Sequence, residues 1–248
     1  MTNKEELDQL YNKLNNGLLI KNYYTLTKST GDLAEGLALQ YVSLVDTIRD
    51  RELLFAKRLT KVASHRLKEH PDSILEKLFS FNMEGAEMCG LRDYSEESIT
   101  ENNRIVIRGH FFSHAGTEAY YLHKRQNYNL GWARKSYEAS FKAALSLHNL
   151  RPLESASSSF FAAETAYRLY FATNNSIWSK RAKKAYNSFL DISLGNPGDF
   201  EDDLIKRANN ALRHIRKRRQ GNRENGGRNG RYNRKRRVDK RERNIDLD

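Results

Sequence analysis

Residues 162–190 read AAETAYRLYFATNNSIWSKRAKKAYNSFL, and this stretch decides the fold class. Its apolar residues recur every three or four positions on both sides of the polar turn Asn174-Asn175-Ser176, which is the spacing of one face of an α-helix. Asn and Ser are residues that end one helix and cap the next. The stretch therefore predicts a helical hairpin.

The same pattern occurs once more upstream. Residues 115–145 read AGTEAYYLHKRQNYNLGWARKSYEASFKAAL, and the pair Ala119-Tyr120 matches the pair Ala166-Tyr167 at a separation of 47 residues. The two tryptophans, Trp132 and Trp178, lie 46 residues apart. Each unit consists of a helix, a short polar loop and a second helix, which is the supersecondary unit of α-solenoids.

This second half of the chain resembles the tetratricopeptide class of helical repeats over about residues 105–194. Leu169, Ala182 and Tyr186 fall at the spacing of that motif's first-helix Leu and of its second-helix Ala and aromatic residue. Two of the motif's small residues are aromatic here, and the period exceeds the usual 34 residues. The resemblance implies a scaffold that binds a peptide or a partner helix along a concave face. The alternative is an irregular helical bundle with one duplicated hairpin.

The rest of the chain is also patterned for helices, and no stretch alternates as a β-strand does. Apolar residues at helical spacing predict helices over about residues 3–16, 33–48, 53–67 and 73–79. Residues 29–32, Ser-Thr-Gly-Asp, predict a stop and a new N-cap before the second of these helices. We therefore predict an all-α fold, with helical hairpins stacked as a tetratricopeptide-like α-solenoid or as an irregular bundle.

Positive charge is concentrated at the C-terminus. Residues 213–248 hold 15 Lys and Arg against 5 Asp and Glu, whereas residues 1–212 hold 28 against 26. Residues 213–248 thus carry a net charge of +10, out of +12 for the whole chain. We predict a helical body over residues 1–212 and an Arg-rich arm over residues 213–248. The arm is expected to be helical to about residue 219 and disordered beyond it, because Gly and Asn separate its basic clusters.

The chemistry of the arm suits nucleic acid. Arg outnumbers Lys there by 12 to 3, and the planar guanidinium binds phosphate through two hydrogen bonds and stacks on bases. The segment GGRNGRY has the composition of RGG-type RNA-binding segments, with Tyr232 available for stacking. We predict contacts that do not depend on base sequence, with RNA favoured over DNA. The predicted binding residues are Arg213, Arg216, Lys217, Arg218, Arg219, Arg223, Arg228, Arg231, Tyr232, Arg234, Lys235, Arg236, Arg237, Lys240, Arg241 and Arg243.

One predicted helix carries candidate catalytic chemistry. His110, His114 and Glu118 fall at i, i+4 and i+8, and two His at that spacing can share a zinc ion. Arg104 and Arg108 each precede one of these His by six residues, a pattern that resembles the small helical ribonuclease domains called HEPN. That resemblance implies RNA cleavage assisted by His and Arg. Because the spacing indicates no further metal ligand, we interpret His110, His114 and Glu118 as polar residues near a helix surface.

Several function classes lack support in the sequence. Cys89 is the one cysteine, so an intrachain disulfide and a cysteine-based zinc site are excluded. The sequence contains no glycine-rich phosphate loop and no run of 18 apolar residues. Residues 1–14 are polar and include acids, unlike a signal peptide, so we expect none. We expect an intracellular, cytoplasmic protein without a cofactor, a catalytic site, a metal site or a membrane partner.

The predicted function is that of a non-enzymatic protein-interaction scaffold. Its body would bind a protein or peptide, with self-association as a further option, and its arm would contact RNA. The clusters Arg216–Arg219 and Arg234–Arg237 would also suit nuclear import in a nucleated cell. Two alternatives stay open: a viral-type packaging protein of the nucleocapsid kind, and a ribonuclease-like or metal-dependent enzyme that uses the helix over residues 104–118.

Overall fold

The computed structural model describes residues 3–16, 19, 21–45, 53–90, 100–196 and 198–218. Within these ranges the secondary structure is helical and contains no β-strand, which confirms the predicted all-α fold class. The chain divides into two compact units, residues 1–200 and 201–248. The boundary predicted from charge lies further along the chain, at residue 213.

Eight α-helices are described in the first unit, with a short 3-10 helix, Tyr23–Thr25, between the first two. They are α1 (Asn3–Asn16), α2 (Lys28–Leu44), α3 (Leu53–Ala63), α4 (Asp72–Met88), α5 (Glu101–Arg125), α6 (Leu130–Leu147), α7 (Pro152–Thr173) and α8 (Ser176–Gly195). The second unit contains helix α9 over residues 202–218. None of the helices described is both long and apolar enough to cross a membrane.

The helix break predicted at residues 29–32 is wrong. α2 begins at Lys28 and continues through these residues, because Thr27 is its N-cap. The Thr27 hydroxyl accepts a hydrogen bond from the backbone N–H of Thr30 at 3.4 Å, and the Thr27 carbonyl accepts one from Gly31 at 2.8 Å. Gly31 therefore lies in the first turn of α2 and does not end a helix.

Asparagines build the turns of both predicted hairpins. Asn174 ends α7 in the left-handed conformation, with φ 52°, and Asn175 caps α8 by accepting from the Ile177 N–H at 2.9 Å. In the first hairpin the Asn129 side chain accepts from the Gly131 N–H at 2.8 Å and so caps α6. Side-chain capping satisfies backbone N–H groups that the first turn of a helix leaves free, so both turns are specified locally.

α5 and α6 pack closely at two glycines. A Cβ atom on Gly116 would lie 2.2 Å from Ser140 Oγ, and one on Gly109 would lie 2.5 Å from Leu147 Cγ. The Ser136 hydroxyl also donates to the Gly116 carbonyl at 2.8 Å. The earlier glycine, Gly109, faces Leu147, and the later one, Gly116, faces the earlier residue Ser140, so the two helices are antiparallel. Their close approach depends on the absence of these two side chains.

α7 and α8 form the second antiparallel pair, and aromatic rings fill its interface. The ring centroids of Phe160 and Phe189 lie 5.0 Å apart, and those of Tyr167 and Tyr186 lie 6.4 Å apart. Each helix from α4 to α7 packs against the next one in the chain. Sequence order thus places α6 and α7 between the outer helices of the two hairpins.

Candidate nucleic-acid interface

The C-terminal end of α9 carries the first part of the predicted interface. Arg213, Arg216 and Lys217 are exposed and Arg218 is partly buried, while acids at residues 202–203 open the same helix. This charge order places cations at the negative end of the helix dipole and acids at its positive end. The last turns of α9 therefore present an exposed basic surface.

The other predicted binding residues lie outside the described residues, and their role stays a prediction. They are Arg219, Arg223, Arg228, Arg231, Tyr232, Arg234, Lys235, Arg236, Arg237, Lys240, Arg241 and Arg243.

Glu118 belongs to a buried polar cluster, which corrects its interpretation as a residue near the helix surface. Asn82 of α4 donates to both carboxylate oxygens, at 2.8 and 3.0 Å, and the Ser64 hydroxyl donates to one of them at 3.2 Å. Thr60 of α3 donates in turn to Asn82 Oδ1 at 2.9 Å. Burial raises the pKa of Glu118 to about 8, although these hydrogen bonds lower it. The cluster joins α3, α4 and α5.

The two histidines of α5 have lowered pKa values. Burial, reinforced by the nearby charge of Lys57, lowers the pKa of His110 to about 4, although Glu154 Oε2 lies 3.3 Å from His110 Nε2. Burial likewise lowers the pKa of His114 to about 4. In the described part of the chain, no three His, Cys, Asp or Glu side chains are placed to hold a metal ion. His110, His114 and Glu118 thus share a helix without converging on one point.

Arg108, which also belongs to the ribonuclease-like pattern, contacts an aromatic ring. Its guanidinium carbon lies 5.5 Å from the centroid of the Phe112 ring, and its buried Nε atom has no hydrogen-bond partner within the described ranges. The side chain therefore packs on an aromatic ring of its own helix.

A groove lies between α6 and α8, and it was not predicted from the sequence. Its volume is about 420 Å³, and Glu138 is among its lining residues. The groove, called the basic groove below, is otherwise lined by Tyr137, Phe141, Lys142, Lys180, Arg181 and Lys184. The spacing of Lys180, Arg181 and Lys184 on one helix face was the available signal, but the facing residues lie some forty positions earlier in the chain.

A second opening lies beside the α5–α6 turn and α7, and it is called the apolar pocket below. Three exposed apolar side chains surround its volume of about 400 Å³: Tyr128, 58% exposed, Phe171, 40%, and Leu130, 37%. His123 and Arg168 also line it. Exposed large apolar side chains grouped around one opening are typical of an interaction site.

No protein-family model, curated protein or solved structure matches this chain. The functional conclusion therefore rests on the residues described above and on the charge distribution of the sequence.

Proposed function

We propose that the protein is a non-enzymatic scaffold that binds RNA through its Arg-rich arm and a protein partner through its helical body. The observation that carries this proposal is the separation of charge, because residues 213–248 hold a net +10 and residues 1–212 only +2. A strongly charged segment on a nearly neutral body is suited to binding polyanions. The exposed cations at the end of α9 support the proposal.

Binding of this kind follows from counterion release. Each phosphate that an Arg or Lys neutralises frees condensed cations, so affinity falls steeply as salt rises and depends little on base sequence. If the arm neutralises about six to ten phosphates, affinity should fall roughly 10³- to 10⁵-fold between about 50 and 200 mM salt.

The test compares the full chain with a variant in which Arg234, Lys235, Arg236 and Arg237 are replaced by Gln. Fluorescence anisotropy with labelled oligouridine measures affinity against salt. Since each phosphate contact to a single strand contributes about 0.7 to the log–log salt slope, four lost contacts should reduce the slope by roughly 3. The charge-matched control replaces four exposed body cations by Gln, namely Lys13, Lys21, Arg58 and Lys68. An arm variant that keeps the wild-type slope would refute the proposal.

The apolar pocket supports the second half of the proposal, a protein partner on the body. The His123 ring donates from Nδ1 to the Asn129 carbonyl at 2.9 Å, which leaves Nε2 as an acceptor. His123 Nε2 and Arg168 Nε are both buried and have no hydrogen-bond partner within the described residues. His123 and Arg168 line the same opening as the exposed apolar side chains, and these apolar side chains complement an apolar side chain of a partner.

A further inference from the structure

We infer that the basic groove between α6 and α8 is a second binding site for single-stranded RNA, on the first unit of the chain. The inference rests on the proposed function, because it assumes that the protein binds RNA. It adds a contact that is separate in sequence from the arm, and it assigns that contact to residues of the folded body.

The central residue of the basic groove is Arg181. Its guanidinium carbon lies 4.7 Å from the centroid of the Trp178 ring and 5.2 Å from that of the Tyr137 ring. Cation–π contacts with two rings hold the guanidinium in place, and its N–H groups can then serve as donors to a phosphate. Because Arg181 is exposed, it can donate two hydrogen bonds to a phosphate with little loss of side-chain freedom.

Lysines on both helices add to this positive charge. Lys142 Nζ lies 5.2 Å from the centroid of the Phe112 ring, and Lys184 Nζ lies 5.8 Å from that of Phe141. Within the part of the chain that the structure describes, no ion pair joins a carboxylate to any of the groove's four cations. With Glu138 as the carboxylate among the lining residues, the groove carries a net charge of about +3 and complements a polyanion.

The positive surface continues along α6 beyond the groove. Lys135 lies one heptad before Lys142, and its Nζ is 4.1 Å from the centroid of the Trp132 ring. At 1.5 Å per residue the two lysines are about 10 Å apart along the helix axis, on one face. A linear polyanion can therefore follow α6 and meet cations along its length, as nucleic-acid strands do in basic grooves.

The aromatic rings favour a single-stranded nucleic acid. Tyr137 and Phe141 are stacked, with ring centroids 5.7 Å apart and an interplanar angle of 11°, and Phe141 is partly exposed. A free base can extend this stack, and stacking is tolerant of base identity because every base has a π face. Bases in an RNA duplex are paired and cannot enter the groove in this way. A peptide of Asp and Glu alone would use the same cations but has no ring to place on Phe141.

The experiment uses the full chain and oligouridine, with three variants read by the same anisotropy titration. Replacing Lys180 and Lys184 by Gln removes two groove cations, so the salt slope should fall by about 1.4. The charge-matched control replaces Arg58 and Lys68, both exposed, and should keep the wild-type slope. Phe141→Leu removes the stacking ring but not the apolar volume, and it should weaken oligouridine binding by roughly tenfold at constant salt. Far-UV circular dichroism checks that each variant is helical.

The outcomes separate this inference from the proposed function. If the arm variant loses slope while the Lys180/Lys184 variant matches its control, the groove inference is overturned and the arm stands. If the groove variant loses slope while the arm variant does not, the groove stands and the proposed role of the arm fails. Wild-type protein without affinity for oligouridine overturns both. Displacement of oligouridine by polyglutamate of equal charge at equal concentration overturns RNA as the occupant of the groove.

Discussion

Replacing Glu118 by Gln should make the folded protein less sensitive to rising pH. The carboxyl group lies in the buried cluster with Asn82 and Ser64, and burial raises its pKa from 4.5 to about 8. When the pKa of an acid is higher in the folded than in the unfolded state, the acid contributes its full stability at pH values below its pKa in the unfolded chain. This stability is lost as pH rises towards the folded value, because the unfolded chain releases the proton first.

The size of the effect follows from the pKa shift. One pKa unit corresponds to about 1.4 kcal/mol, so between pH 5 and pH 8 the wild type should lose about 3 to 4 kcal/mol through Glu118. Gln does not titrate, and its side-chain oxygen can still accept from Asn82 Nδ2. The variant should therefore be close to the wild type in stability at pH 5 and more stable than it by about 3 kcal/mol at pH 8.

Urea unfolding followed by circular dichroism at 222 nm, at pH 5, 6, 7 and 8, measures this difference. His110 and His114 titrate in both proteins, so their contributions cancel when the two curves are subtracted. Glu87→Gln, at an exposed position of α4, controls for the loss of one negative charge. If the stability difference between Glu118→Gln and the wild type is the same at pH 5 and pH 8, the carboxyl is ionised in the fold and the reasoning is wrong.

Two further predictions concern the helix packing and the partner site. Gly116→Ala should lower the free energy of unfolding by about 1 to 3 kcal/mol, because its Cβ would lie 2.2 Å from Ser140 Oγ and 3.0 Å from the Ser140 backbone N. The matched change is Gly36→Ala in α2, where no atom lies within 4 Å of the new Cβ, and it should instead raise the free energy of unfolding by roughly 0.5 to 1 kcal/mol. Urea unfolding measures both changes. If both variants shift the free energy of unfolding in the same direction, the packing argument is wrong. Phe171→Ser should remove protein crosslinks to α5 and α7 in cells, because it deletes an exposed ring of the apolar pocket. RNA recovered with this variant should be unchanged, and unchanged protein crosslinks would show that the pocket is not the partner site.

Local sequence determined the turns of the two hairpins in the second half of the chain. Residues that cap helices act over three or four positions, so the turns at Asn129 and at Asn174-Asn175 were predictable without knowledge of packing. The same local rule also explains the error at residues 29–32. Thr27 and the Ser-Thr-Gly-Asp segment both contain residues that can cap a helix. The Thr30 backbone N–H donates to the Thr27 hydroxyl, so Thr27 is the N-cap of α2.

The candidate sites depended on contacts that helical spacing does not encode. Glu118 was expected near a helix surface, yet its hydrogen-bond partners Asn82 and Ser64 lie 36 and 54 residues away. Helical spacing places Glu118 on a face of α5, but it does not say which other helix covers that face. For the same reason the basic groove was missed, since Tyr137 and Arg181 belong to different helices.

The sequence by itself determined the all-α class, the helical hairpins and the separation of a neutral body from a basic C-terminal segment. These are properties of composition and of short-range periodicity, so they can be read from neighbouring residues. Only the tertiary structure decided which cations rest on aromatic rings and which carboxyl group is buried with a raised pKa. Charge–ring contacts and desolvation depend on which helix faces pack together, and that pairing joins residues that are distant in the chain.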